Sequence, residues 1–265
     1  PLYQYAFESL RWFDHWLKGN DTGYMDEPPI SLFVTGADGR WLQADEWPLP
    51  QTLWHPFYMH ADGLLSEHEH WPHEGATSYE DNNYNARSGV DFESPPMVER
   101  TEVIGPITAT IYASTTQPEL LLFVSLWDIS PAGDKTLLSR GWLRGTLREE
   151  CIEKSKPWLC HHTFQKAVAV DTSRPTRFQV NLVPRAHVFQ AGHRIVFRVS
   201  SCDTAEQVTS FFDQMGQGHV LQQPPSWVSI HHDADHPSVI HLPITSGNRI
   251  GTFMSGGKLA APVGR

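Results

Sequence analysis

Proline and glycine interrupt this chain so often that long regular elements have little room. Of its 265 residues, 19 are glycine and 20 are proline. Between these breakers lie short apolar runs, which is the pattern of strands rather than helices. Residues 30–35 (ISLFVT) form the first run. Residues 53–60 (LWHPFYMH) read as a strand that Pro56 confines to a sheet edge. Residues 61–100 are polar and aromatic without a clean period and read mainly as loop. Residues 102–113 alternate around Gly105-Pro106, a pair that reads as a turn, and residues 120–129 (LLLFVSLWDI) are apolar enough for a strand buried on both faces. A turn at residues 130–134 (SPAGD) leads into residues 136–143. Residues 163–170, 177–182, 194–200 and 239–243 complete the set. Short strands at intervals of roughly 8–15 residues predict an all-β sandwich or barrel.

One helix stands apart. Tyr3, Ala6, Leu10, Phe13 and Leu17 recur at spacings of three and four and define a helical face over residues 2–18. Asp14 and Lys18 form an i,i+4 pair, and Gly19 supplies the stop. Trp12 and Trp16 lie on the other face, so the helix is apolar on two sides and expects neighbours on both.

Charge and motifs narrow the function. The formal net charge of −10 argues against a nucleic-acid partner. No run approaches the length of a membrane span, and no secretory leader is visible, so a cytoplasmic setting without a membrane partner is expected. Cys151, Cys160 and Cys202 form no CxxC pair and read as thiols of a reducing compartment. A Cys151–Cys160 bridge stays open for an oxidising one. There is no G-x-S-x-G elbow, P-loop, G-x-G-x-x-G or H-E-x-x-H string. Histidine is enriched, at fifteen. His68, His70 and His73 cluster around Trp71, and His231, His232 and His236 stand with Asp233 and Asp235. Such groups can ligate zinc, but both read as solvated loops, so no metal and no cofactor are expected. Glu149-Glu150 and Asp233/Asp235 read as exposed surface rather than paired catalytic acids. The ten tryptophans leave open an alternative, a stand-alone carbohydrate-binding β-sandwich module that stacks sugars on aromatic rings.

Several strings, in order, resemble the CocE/NonD and X-Pro dipeptidyl-peptidase serine hydrolases. Residues 9–19 (SLRWFDHWLKG) resemble the family's "FFD-x-x-LKG" helix. Phe33, Val34, Gly36, Trp41, Trp47 and Pro48 match its "V-x-x-F-V-x-G … W … WP" segment. Residues 92–97 (FESPPM), 102–110, 121–133, 138–148 and 191–195 (AGHRI) are similar to five further family strings. Gly141, Arg144 and Arg148 fall in step within the fourth of these. The chain departs from the family at residues 202–208 (CDTAEQV) and 79–86 (YEDNNYNA).

The resemblance implies a mainly β fold: a jelly-roll β-sandwich, galactose-binding-domain-like, preceded by one N-terminal helix left over from an α/β-hydrolase domain. Residues 1–19 are then the terminal helix of that catalytic domain. Residues 20–53 are a connector with a short strand, 54–250 the sandwich, and 251–265 a flexible Gly-rich tail. The chain opens on Pro1 rather than methionine, and in the family the Ser–His–Asp triad precedes the helix. The resemblance therefore implies no catalytic residue in this chain. It implies a C-terminal domain that packs on the upstream α/β-hydrolase domain and helps shape a pocket for a small ester or peptide. A homo-oligomer is compatible with this. By position Phe92 and Tyr84 are the substrate-pocket candidates. Gly192, His193 and Arg194 are expected to form a turn and ion pairs, and Asp128 to accept hydrogen bonds from a turn backbone.

Overall fold

The computed structural model describes residues 2–36, 39–69, 74–81, 88–201 and 224–247. Helix α1 (Leu2–Lys18) comes first, then a two-stranded antiparallel hairpin of β1 (Ile30–Val34) and β2 (Arg40–Ala44). The connector thus holds two strands, not one. The second strand, RWLQA, has polar residues at Arg40 and Gln43 and no long apolar run to reveal it.

Strands β3 (Leu53–Met59), β4 (Leu65–Ser66), β5 (Ala76–Asp81), β6 (Gly89–Glu93), β7 (Thr101–Thr115), β8 (Leu121–Ile129) and β9 (Lys135–Arg144) follow. The remainder are β10 (Thr176–Phe189), β11 (Arg194–Ser200), β12 (Ser226–His231) and β13 (Val239–Ser246). The sheet runs in the order β4-β3-β13-β7-β10-β9-β8-β11-β6. Beyond the end of β13, β12 takes over the same edge of β7 and carries β5 on its outer side. A single residue pair, Leu182 with Gly141, joins β10 to β9. There the sheet folds over into two layers, the β-sandwich expected from the strand spacing. At this corner a Cβ on Gly141 would sit 2.3 Å from the Asn181 carbonyl oxygen, so only glycine permits the approach. A parallel bridge from Leu64 to Glu93 brings the far ends of the path together and gives the sandwich its near-barrel closure.

The core follows from alternation. Phe57, Phe92, Phe178, Phe189 and Phe197 are fully buried between the layers, with Ile107, Ile111, Leu120 and Leu122. Burying each such side chain stabilises the fold by roughly 1.5–3 kcal/mol. The central strand β7 is buried on both faces along its first nine residues. Gly105-Pro106 does not turn the chain. Both residues continue β7, and the facing β10 shifts register between Leu182 and Arg185. The missing amide of Pro106 is therefore met by a bulge containing Val183-Pro184.

Two further readings are refined. The described part of residues 61–100 is mainly loop, as expected, but it also carries the short strands β4, β5 and β6. Residues 163–170 are not a strand. Phe164 adopts φ 53°, which breaks an extended chain, and residues 164–169 are all exposed, so no face is buried. Arg148 secures this segment by donating to the carbonyls of Gly145 (2.9 Å), Val168 (2.7 Å) and Ala169 (3.3 Å). The tail at 251–265 and the divergent residues 202–208 lie outside the described residues.

Candidate functional site

Helix α1 packs with its polar side inward. Glu8, Ser9, Arg11, Asp14 and His15 are half-buried, whereas Leu10, Phe13, Trp16 and Leu17 are exposed. Tyr3 is 93% exposed and Leu17 74%. Arg11 anchors the helix from within. Its guanidinium donates to Glu27 (2.6 Å) and Glu8 (3.1 Å) and lies 5.8 Å from the ring centres of both Phe7 and Tyr24. The neighbouring hairpin continues the apolar surface. Phe33 and Trp41 are both exposed and meet edge to face at 5.4 Å. Between helix and hairpin opens a cleft of about 1120 Å³, walled by Tyr5, Tyr24, Met25, Phe33 and Trp41, with Glu27 as a charged group.

A buried carboxylate ties that hairpin to the sandwich. Asp128 Oδ2 lies 2.9 Å from His187 Nε2, and Oδ1 lies 2.7 Å from His193 Nδ1. On its other side the His187 ring meets the Thr35 hydroxyl at 2.8 Å. Thr35 directly follows β1 and exchanges backbone bonds with β10, donating to Ala186 O (3.0 Å) and accepting from Val188 N (2.9 Å). Asp128 thus holds two imidazoles rather than a turn backbone. One imidazole, on β10, reaches the hairpin, and the other sits on the Gly192–Arg194 turn. The ion pairing expected of that turn is present, through His193 with Asp128 and Arg194 with Glu93. Asp128 and His193 belong to two separate strings of the family resemblance, and they meet across 65 residues of sequence. Thr35 and His187 carried no sequence signal, because a bridge between residues 152 apart brings them together.

A second buried carboxylate, Glu74, lies between His60 and His232. Oε1 is 3.0 Å from His60 Nδ1, and Oε2 accepts the Ala61 amide at 2.8 Å. His232 Nδ1 approaches Oε2 to 2.7 Å, off the hydrogen-bond axis. The other nitrogen of His60 contacts the His68 carbonyl (2.8 Å) and the Ser66 hydroxyl (3.0 Å). Burial holds His60 below the usual imidazole range, against the opposing pull of Glu74.

The pocket candidates fall differently. Val90 and Phe92 are the inward-facing pair on β6, so Phe92 lies in the core, edge-on to the His232 ring at 6.5 Å, with no surface for a substrate. Tyr84 lies outside the described residues, as do His70 and His73. Glu149 and Glu150 do not act as a pair, since they engage Thr163 (2.6 Å) and Arg177 (2.7 Å) respectively. Cys151 and Cys160 are free thiols. Burial, with the nearby Glu150 charge adding to it, pushes Cys160 up to about 11, which disfavours its thiolate.

Comparison with known proteins places these features in a family. The description "X-Pro dipeptidyl-peptidase C-terminal non-catalytic domain" matches residues 22–241. The chain belongs to this family, the non-catalytic C-terminal domain found in CocE/NonD-type hydrolases. It is 27% identical over 236 residues to a Mycobacterium bovis protein whose name places it among the serine esterases, covering 77% of this chain and 37% of that protein. It is 23% identical over 280 residues to the cocaine esterase of a Rhodococcus species, covering 92% of this chain and 46% of the esterase. A CocE/NonD family hydrolase from Staphylococcus aureus shares the fold with a TM-score of 0.74 at 17% identity, covering 91% of this chain and 45% of that one. An α-amino acid ester hydrolase does so at 0.67 and 20%, covering 88% and 44%. The chain spans less than half the length of each of these relatives. Nothing found supports a carbohydrate-binding module. Among the described residues no helix is long and apolar enough to cross a membrane.

Proposed function

We propose that this chain is the docking and pocket-shaping domain of a larger acyl hydrolase for small esters or peptides, whose Ser–His–Asp triad lies in an upstream α/β-hydrolase domain. The observation that carries this reading is the orientation of α1. A helix turned polar side inward leaves Leu10, Phe13, Trp16 and Leu17 in water. An exposed apolar patch of that kind marks an interface. The hairpin extends the same surface, and the Asp128–His187–Thr35 chain fixes the hairpin to the sandwich. The cleft between helix and hairpin then faces the catalytic domain and forms one wall of its substrate pocket.

Within this reading Tyr84 remains a pocket-wall candidate, and Phe92 acts only by packing β6. The exposed α1 face also gives the chain, when alone, a route to self-association. A cytoplasmic setting fits the free Cys151 and Cys160.

The test is labelling with a fluorophosphonate, which modifies activated serines. The chain alone is expected to take up no probe. The full-length parent takes up one equivalent, and Trp16→Glu in that parent lowers ester kcat/KM. A stoichiometric adduct on the chain alone would overturn the reading.

A further inference from the structure

The connection from β12 to β13 gathers metal-ligating groups that the docking role does not use. His231 ends β12, and Asp233 and His236 lie in the turn that follows. One ligand atom from each of the three lies within 4.8 Å of the others. The turn fixes the carboxylate, since Asp233 Oδ1 accepts the backbone amides of Asp235 (2.9 Å) and His236 (3.0 Å). Oδ2 is left facing the two rings, 3.3 Å from His236 Nδ1 and 3.8 Å from His231 Nδ1.

The far side of His231 is also set. Its Nε2 lies 2.9 Å from the Ser114 hydroxyl on β7. Donation of Nε2–H to Ser114 leaves the Nδ1 lone pair directed toward Asp233. An outer hydrogen bond of this kind orients and tautomerises a metal-bound imidazole. The Tyr112 ring packs edge-on to His236 at 5.5 Å and limits its swing. The three side chains are 18%, 30% and 33% exposed in chain order, so an ion reaches them from solvent.

We propose that His231, Asp233 and His236 form a binding site for a divalent transition-metal ion, with zinc the best chemical match. Two imidazole nitrogens and one carboxylate oxygen suit zinc, whereas magnesium and calcium prefer all-oxygen sets. Water fills the fourth, solvent-facing position. Zinc–ligand distances of about 2 Å require the three atoms to close up, which rotation of the partly exposed His236 ring achieves. His236 Nδ1 now contacts Asp233 Oδ1 at 3.0 Å. To ligate, the ring keeps a proton on Nε2 only, so that Nδ1 offers its lone pair to the ion and any proton held there by the imidazolium form goes to solvent. The bound ion cross-links the β12–β13 turn.

The experiment is calorimetric titration of the metal-stripped full chain with zinc chloride near pH 7.5. One ion per chain is expected to bind in the micromolar range, with proton release. Asp233→Asn and His236→Gln should each weaken binding about 10-fold or more, and Ser114→Ala by a smaller factor. Because the chain holds fifteen histidines, His161→Gln is the control and should leave the affinity unchanged. Equal affinity in the Asp233→Asn/His236→Gln double variant, or no binding in the micromolar range, would overturn the proposal. Should the double variant misfold, diethylpyrocarbonate modification of the natural chain decides. Zinc protects His231 and His236 if the site is real, and equal modification with and without zinc refutes it.

Discussion

On β6, Val90 and Phe92 point into the sandwich, and Asp91 between them faces solvent, where it pairs with Arg198 at 2.9 Å. On α1 the order is reversed. Glu8, Arg11 and Asp14 turn toward the protein, and Leu10, Phe13 and Leu17 face water. Both segments are amphipathic, so their sequences look equally suited to burial. The difference is that the sandwich contains the partner for its apolar faces, whereas α1 does not. An apolar stripe fixes which side of an element is to be covered, but not what covers it. In the sandwich that partner is another strand of this chain. At α1 it is, on the present reading, a catalytic domain.

The contrast is broken or sharpened by substitution. Phe197→Ala in the core is expected to cost about 3–5 kcal/mol, read as a lowered urea midpoint. A loss below about 1 kcal/mol would mean the sandwich is packed far more loosely than its buried phenylalanines indicate. Asp128→Asn comes next. It keeps the shape but takes the carboxylate from His187 and His193, at a cost of about 1–3 kcal/mol. If the carboxylate holds the hairpin, amide exchange at Thr35 and Val188 accelerates more than exchange at the centre of β7.

Acid should act on the sandwich in a defined direction. His60, His231 and His241 are all held below the ordinary imidazole value, chiefly by burial. The unfolded chain therefore takes up their protons first. Their contribution is complete above the unfolded value of about 6.5 and is lost as the pH falls through the lower folded values. The urea midpoint should fall between pH 8 and pH 5.5, and His241→Asn should flatten that fall. A midpoint that rises on acidification would contradict the burial of these rings. The smallest effect belongs to α1. In the isolated chain Trp16→Glu should shift stability by no more than about 0.5 kcal/mol and still reduce binding of a hydrophobic dye. A large destabilisation would show that the helix face is already packed within this chain.

The same contrast explains what could be read in advance. Strands β7, β8, β9 and β11 were legible because their apolar residues cluster beside turn-forming residues, although the Gly105-Pro106 pair read as a turn lies inside β7. Strand β10 was legible only in part. It runs from Thr176 through Pro184 to Phe189 because a bulge absorbs the proline, and bulges leave no trace in hydropathy. Strands β5 (ATSYED) and β12 (SWVSIH) pair with each other, and both are short and mix polar with apolar residues without a strict period. Neither advertises itself alone. The motifs announced Asp128 and His193 but not their connection. His187 and Thr35 join them only through the contact of β1 with β10. Phe92 was sought at a pocket by its position in the chain, yet strand alternation places it in the core.

Hydroxyl-radical footprinting of the tryptophans, in the chain alone and in the full-length parent, tests the central claim most directly. Trp12, Trp16 and Trp41 lie on the helix–hairpin face at 41%, 55% and 54% exposure, and Trp227, on the sandwich, is 57% exposed. The account predicts that the first three become strongly protected in the parent while Trp227 is modified at the same rate in both. Equal modification of Trp12, Trp16 and Trp41 in the two proteins would contradict it, because the exposed face of α1 would then have no domain to receive it.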